Sequence, residues 1–314
     1  IVFLPMTNPA GEGWISNVNV YPKNSFARVE KAVEDEGKHV LNEDQVTYTL
    51  TGIVPSAQEG KKLDWFGLRD AYNNTEIKPD YENLTVKVIS VDGAEKDLTK
   101  GTDFAVGADE GYNSVAGNLA AGANAGFFVG VKPSVLKPGD RVIATVTADL
   151  LEGANTDQEV ENSVREYFRH STDDSNFSEV PPNTPPGDTP PGDTPPNETP
   201  NDKVVSYFGN IQVFKTGEED GKRTALEGAK FEVGKCNAEG TAIDGEAIAT
   251  GTTGEDGTLT FEGLHVTDYA DDAVVEDPGK YCLRETAAPA GYTFDKGAVY
   301  PLELTRETKN GGQP

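Results

Sequence analysis

Residues 46–54 read VTYTLTGIV, with Val46, Tyr48 and Leu50 alternating against Thr47, Thr49 and Thr51. Successive strand side chains point to opposite faces, so this period of two predicts a half-buried β-strand, and its β-branched and aromatic residues suit a pleated surface. The same signature recurs in LTVKVISV from Leu84, FFVGV from Phe127, RVIATVTADL from Arg141, IQVFK from Ile211 and TLTFEGL from Thr258. Short alternating runs separated by Gly, Asn and Asp predict an all-β protein of antiparallel sandwiches. Helix is expected to be minor, within VENSVREYF from Val160.

The 314 residues have room for two or three domains. A hydrophobic fraction of 36% suffices for soluble cores, and no apolar run approaches the length that crosses a bilayer. The net charge of −26 argues against nucleic acid and anionic membrane surfaces as partners. Residues 1–13, IVFLPMTNPAGEG, lack the basic and apolar regions of a signal peptide. Residues 4–8, LPMTN, read as a strand lead-in rather than a sorting signal.

Residues 180–202 form a Pro-rich repeat, VPPNTPPGDTPPGDTPPNETPND, whose nine prolines forbid a helix or a central strand. The expected organisation is a remnant of a preceding domain at 1–24, a middle domain at 25–180, a linker at 181–202 and a last domain at 203–314. Two cysteines, Cys236 and Cys282, lie in that last segment; a bridge between them fits an oxidising, extracytoplasmic setting, with two free thiols as the alternative.

Some polar residues fall on the wrong face. In FARVEKAVED, from Phe26, Lys31 shares a side with Val29 and Val33, and in IQVFKTG Lys215 follows Ile211 and Val213. Asp70 aligns with Phe66, Leu68 and Tyr72; Asn162 with Val160 and Val164; Glu285 with Tyr281 and Leu283. An unpaired buried ammonium costs several kcal/mol, so such a lysine is paired, neutral or covalently altered. Two readings fit: buried ion pairs, or an amide exchange in which a neutral lysine attacks an asparagine carboxamide while a protonated acid polarises it.

Two motifs bear on that choice. WISNVNVYPKN (14–24) is similar to the pilin motif of sortase-assembled pili of Gram-positive bacteria, at Trp14, Val18, Val20, Tyr21, Pro22 and Lys23. YCLRETAAPAGY (281–292) resembles the E-box of the same family, at Tyr281, Leu283, Glu285, Ala288, Pro289, Gly291 and Tyr292. The resemblance implies a major shaft pilin built of tandem immunoglobulin-like, Cna-B-type sandwiches and displayed on a wall-attached extracellular pilus. It implies Lys23 as the acceptor that a pilin-specific sortase joins to the next subunit. It further implies isopeptide bonding of Lys31 to Asn162, with Asp70 as acid, tying first and last strands of the middle domain, and a second centre at Lys215 and Glu285.

The asparagine of the second centre is expected beyond Pro314, with Asn310 a weaker candidate, so the sequence reads as cut at both ends and its last domain as lacking a strand. Partners implied are neighbouring pilin subunits, the sortase and a host surface ligand; the rival reading is a stalk for an adhesin. No enzyme activity beyond self-crosslinking is expected, and no cofactor. The acidic stretch TDYADDAVVED from Thr267 lacks the spacing of a Ca²⁺ loop, and His39, His170 and His265 form no zinc pattern, so no metal is expected either.

Overall fold

The computed structural model describes residues 27–57, 59–108, 122–157, 159–172, 180–182 and 197–307. Lys23, the pilin motif, Asn310 and most of the Pro-rich repeat lie outside them. Among the described residues the chain forms β1 (Val29–Glu34), β2 (Gln45–Ile53), β3 (Lys62–Tyr72), β4 (Ile77–Pro79), β5 (Thr85–Ile89), β6 (Glu95–Asp97), β7 (Phe104–Ala108), β8 (Ala125–Val131), β9 (Arg141–Leu150) and β10 (Glu159–Ser171). It continues with β11 (Asn197–Glu198), β12 (Asp202–Phe214), β13 (Thr216–Glu219), β14 (Lys222–Ala225), β15 (Lys230–Lys235), β16 (Ala249–Thr252), β17 (Thr258–His265), β18 (Tyr269–Ala270), β19 (Ala273–Val274), β20 (Tyr281–Ala287) and β21 (Val299–Leu302).

The fold is all-β. One sheet has the order β1-β2-β9-β5-β6, with β4 on β9, and faces a second of order β17-β12-β10-β3-β8-β7, with β11 on β10. Between them lies one core containing Tyr48, Leu50, Phe66, Leu68, Phe127, Val146 and Val164. A smaller core, built on Ile211, Phe231, Val233, Phe261 and Leu283, fills the last domain, whose other sheet runs β16-β15-β20-β21. The named strands pair antiparallel throughout, both between neighbours in sequence such as β1–β2 and between strands far apart in the chain such as β2–β9 and β3–β10.

Residues 160–168 are strand, not helix: they lie within β10, which pairs with β3 from Asn162↔Tyr72 to Ser171↔Lys62. The alternation there is hard to see because both faces are covered. Arg165, Tyr167 and Arg169 on one side are as buried as Val164 and Phe168 on the other.

β12 crosses the boundary expected at 202–203. Its first half pairs with β10, from Val164↔Asp202 to Glu159↔Tyr207, and its second half pairs with β17, from Phe208↔His265 to Phe214↔Thr258. Asn197 and Glu198, inside the C-terminal end of the segment expected to be linker, pair instead with Phe168 and Tyr167. Both flanks of the repeat therefore lie in one sheet, and the repeat joins two strands of the middle sandwich rather than two bodies. Proline marks chain that cannot enter a ladder; it does not reveal whether the flanking strands pair with each other. Asn162 accordingly sits on β10, with β11 and the first half of β12 still to come, and is not on the last strand of the middle domain.

Candidate functional site: two buried lysine–carboxyl pairs

Lys31 lies on β1, in register with Leu50 of β2, and its side chain is fully enclosed. Its Nζ donates to Oδ2 of Asp70, equally enclosed, on β3 of the facing sheet. Asn162 on β10 is 0% exposed. The register pairs Val164 with Asp70 and Asn162 with Tyr72, so Asn162 and Asp70 are diagonal neighbours on the inward face, within reach of each other's side chains. The carboxamide lies beside the Asp70 carboxyl. Neither its Oδ1 nor its Nδ2 has a hydrogen-bond partner, and Oδ1 of Asp70 also lacks one. The structure thus brings Lys31, Asp70 and Asn162 together across the sandwich.

Burial dominates the electrostatics of this group. It lowers the Lys31 amine from its ordinary value against the opposing pull of Asp70, and it raises the Asp70 carboxyl against the opposing pull of Lys31. Both directions favour a neutral amine beside a protonated acid. A neutral amine is a nucleophile, a protonated carboxyl is a proton donor, and a carboxamide nearby is an acylating group. The backbone also positions the lysine, since its N–H donates to Oδ2 of Asp202 at 2.7 Å, at the start of β12.

The second pair is more open. Lys215, just past the end of β12, donates to Oε2 of Glu285 on β20 at 2.6 Å, with side chains 23% and 9% exposed. Oε1 of Glu285 is buried without a partner. Glu285 faces Phe231 of β15, and beside it on β20 Cys282 forms a disulfide with Cys236, just after β15. The bridge fastens neighbouring strands of the same sheet. Asn310 lies outside the described residues.

Three features of the structure escaped the sequence reading. Tyr48, on β2, places its ring 5.0 Å from the Lys31 ammonium; in the sequence it reads only as a core aromatic. Glu166 on β10 is fully buried with neither carboxyl oxygen partnered. His39 and His265 meet where the middle and last domains touch, the His265 N–H donating to Nδ1 of His39 at 3.1 Å. No sequence signal reports a contact between residues 226 positions apart.

Residues 209–310 match the SpaA model, described as a prealbumin-like fold domain. Over 99% of its length the chain is 29% identical to the fimbrial subunit type 1 of Actinomyces viscosus, and over 95% it is 26% identical to the fimbrial subunit type 2 of Actinomyces naeslundii. The full-length major pilin SpaD of Corynebacterium diphtheriae superposes on 98% of the chain with a TM-score of 0.68 and 27% identity. The chain is similar to Gram-positive fimbrial subunits and major pilins. The chain spans 63% and 55% of the two fimbrial subunits and 66% of the solved SpaD chain.

Proposed function

We propose that the chain is a structural subunit of a covalent pilus shaft on the outside of a Gram-positive cell, joined to its neighbours by a sortase through Lys23 and internally crosslinked between Lys31 and Asn162. The observation that carries this reading is the enclosed Lys31–Asp70 pair beside an unpartnered Asn162 carboxamide. In an ordinary ion pair the surrounding polar atoms would be satisfied, because each unpartnered buried group costs about 1–3 kcal/mol.

The chemistry balances within the chain. Lys31 passes a proton to Asp70, and the freed amine attacks Cγ of Asn162. The tetrahedral intermediate collapses with the C–Nδ2 bond breaking, and protons relayed through Asp70 let Nδ2 leave as ammonia. One amide replaces another, and no outside reactant is needed. Fixed neighbours supply the effective concentration that makes so unreactive an acyl group accessible.

Mechanically, such a bond fastens β1 of one sheet to β10 of the other, so tension entering at β1 bypasses the 130 residues between Lys31 and Asn162. The Cys236–Cys282 bridge and the Lys215–Glu285 pair reinforce the last domain in the same sense. A shaft under tension gains from covalent ties, because hydrogen-bonded ladders peel.

The shaft reading is tested with Lys23→Ala in cells carrying the matching sortase. High-molecular-weight polymer should disappear while monomer accumulates. An unchanged polymer ladder contradicts the acceptor role, and wild-type chain that never polymerises favours the adhesin-stalk reading instead.

A further inference from the structure

Two diagonal pairs face each other across the middle sandwich. On one sheet, Lys31 is in register with Leu50, which makes Tyr48, two residues away on β2, its diagonal neighbour on the same inward face. On the other sheet, Asp70 and Asn162 stand in the same diagonal relation. Tyr48 is 0% exposed, and its ring carries the Lys31 Nζ 5.0 Å from its centroid. Its hydroxyl lies beside the Asn162 carboxamide, near enough to interact but without a hydrogen bond of full geometry.

That hydroxyl has no packing purpose. Phenylalanine would fill the same space and spare the cost of stripping water from a phenol that makes no full hydrogen bond. The polar atoms left open near Tyr48 include Oδ1 of Asp70 and both polar atoms of Asn162, the groups that change bonding when the amide exchanges, and also Oδ2 of Asp35. Donors that bind weakly in the ground state and aim at the site of developing charge are what transition-state stabilisation requires.

Resting on the Lys31–Asn162 reading above, we propose that Tyr48 is a further catalytic residue of the crosslinking step: its O–H donates to the oxygen of the tetrahedral intermediate on Asn162, opposite Asp70, while its ring holds the attacking amine. As the C=O of Asn162 becomes a single C–O bond bearing negative charge, the Tyr48 hydroxyl and the protonated Asp70 share that charge. When ammonia leaves, the carbonyl reforms and the phenol keeps its own proton throughout. Burial raises the Tyr48 hydroxyl well above its ordinary value, which holds it in the donor form.

The test follows the ammonia loss by intact mass over time after synthesis in a cell-free translation system, for wild type, Tyr48→Phe and Tyr48→Leu. Tyr48→Phe keeps the ring and should slow crosslinking roughly 10-fold or more, since removal of one oxyanion donor typically costs 10²–10³ in rate. Thermal midpoints of Lys31→Ala and Lys31→Ala/Tyr48→Phe, in which no bond can form, should agree within a few degrees. Crosslinking of Tyr48→Phe at the wild-type rate overturns the proposal while leaving the isopeptide reading intact, even if Tyr48→Leu is slow. A slow Tyr48→Phe whose midpoint also falls in the Lys31→Ala background marks a packing defect and overturns it as well. Wild-type chain that never loses ammonia removes the isopeptide reading and this inference together.

Discussion

Asp35 and Asp271, 236 residues apart, cap each other's backbone across the junction of the two sandwiches. The Asp35 N–H donates to Oδ1 of Asp271 at 2.8 Å, and the Asp271 N–H donates to Oδ1 of Asp35 at 2.7 Å. Asp271 and Asp272 form the turn between β18 and β19 at φ 51° and 57°, the left-handed values that a two-residue hairpin demands. The acidic segment from Thr267 is thus a hairpin whose tip docks on the neighbouring domain. Together with the shared strand β12, it makes the junction a braced joint.

Asp271→Ala should weaken that joint twice over, by leaving the Asp35 N–H without its acceptor and by placing a less tolerant residue in the left-handed region. The expected loss is about 1–3 kcal/mol of stability, and Asp271→Asn, which keeps an acceptor and suits the turn, should lose less. Thermal unfolding followed by circular dichroism in a Lys31→Ala background reads both.

The joint should also be acid-sensitive through His39. Burial is the main cause lowering its pKa, to about 4, with Asp44 opposing and His265, Lys235 and Lys38 adding to the fall. The folded form therefore binds fewer protons than the unfolded form between about pH 6.5 and 4, and stability drops as pH falls through that window. Protonation also removes the lone pair on Nδ1 that accepts the His265 N–H. His39→Gln should flatten this limb, visible as a smaller change in thermal midpoint between pH 7 and pH 5 than in the parent protein.

Glu166 has the opposite sign. Burial raises its carboxyl to about 9, and the side chain lies where a Cβ on Gly52 would come within 2.6 Å of Oε2. The folded state then holds a proton that the unfolded state has released between about pH 4.5 and 9, so stability falls as pH rises through that range. Glu166→Gln, neutral and of the same shape, should raise the thermal midpoint more at pH 8 than at pH 5. An equal effect at both values would show that the carboxyl is ionised in the fold.

Reduction, or Cys236→Ser with Cys282→Ser, should destabilise the last domain by roughly 4 kcal/mol on the chain-entropy model for a loop of this size. Differential scanning calorimetry should show the lower-melting transition move while that of the middle domain stays.

How far the sequence could be read depended on how many faces of each strand are covered. β1 was legible because only one is: Lys31 is buried with Val29 and Val33, while Ala32 and Glu34 are exposed. β3 and β10 are covered on both, so Arg69 and Arg165 are as enclosed as Asp70 and Asn162, and period-two reasoning could place the latter pair only through their apolar companions. The helix expected at 160–168 failed for that reason. The Asp35–Asp271 caps and the His39–His265 contact are set by the approach of distant strands, which composition and spacing do not encode.

The most direct measurement is the intact mass of the purified chain, with the Lys31 and Asn162 peptides sought as a crosslinked pair after digestion. Ammonia loss at this centre should leave the wild type about 17 Da lighter than its disulfide-bonded sequence, and Asp70→Ala should restore the missing mass. A wild-type mass equal to the disulfide-bonded polypeptide, with Lys31 and Asn162 recovered on separate peptides, would contradict the account and leave only a buried ion pair.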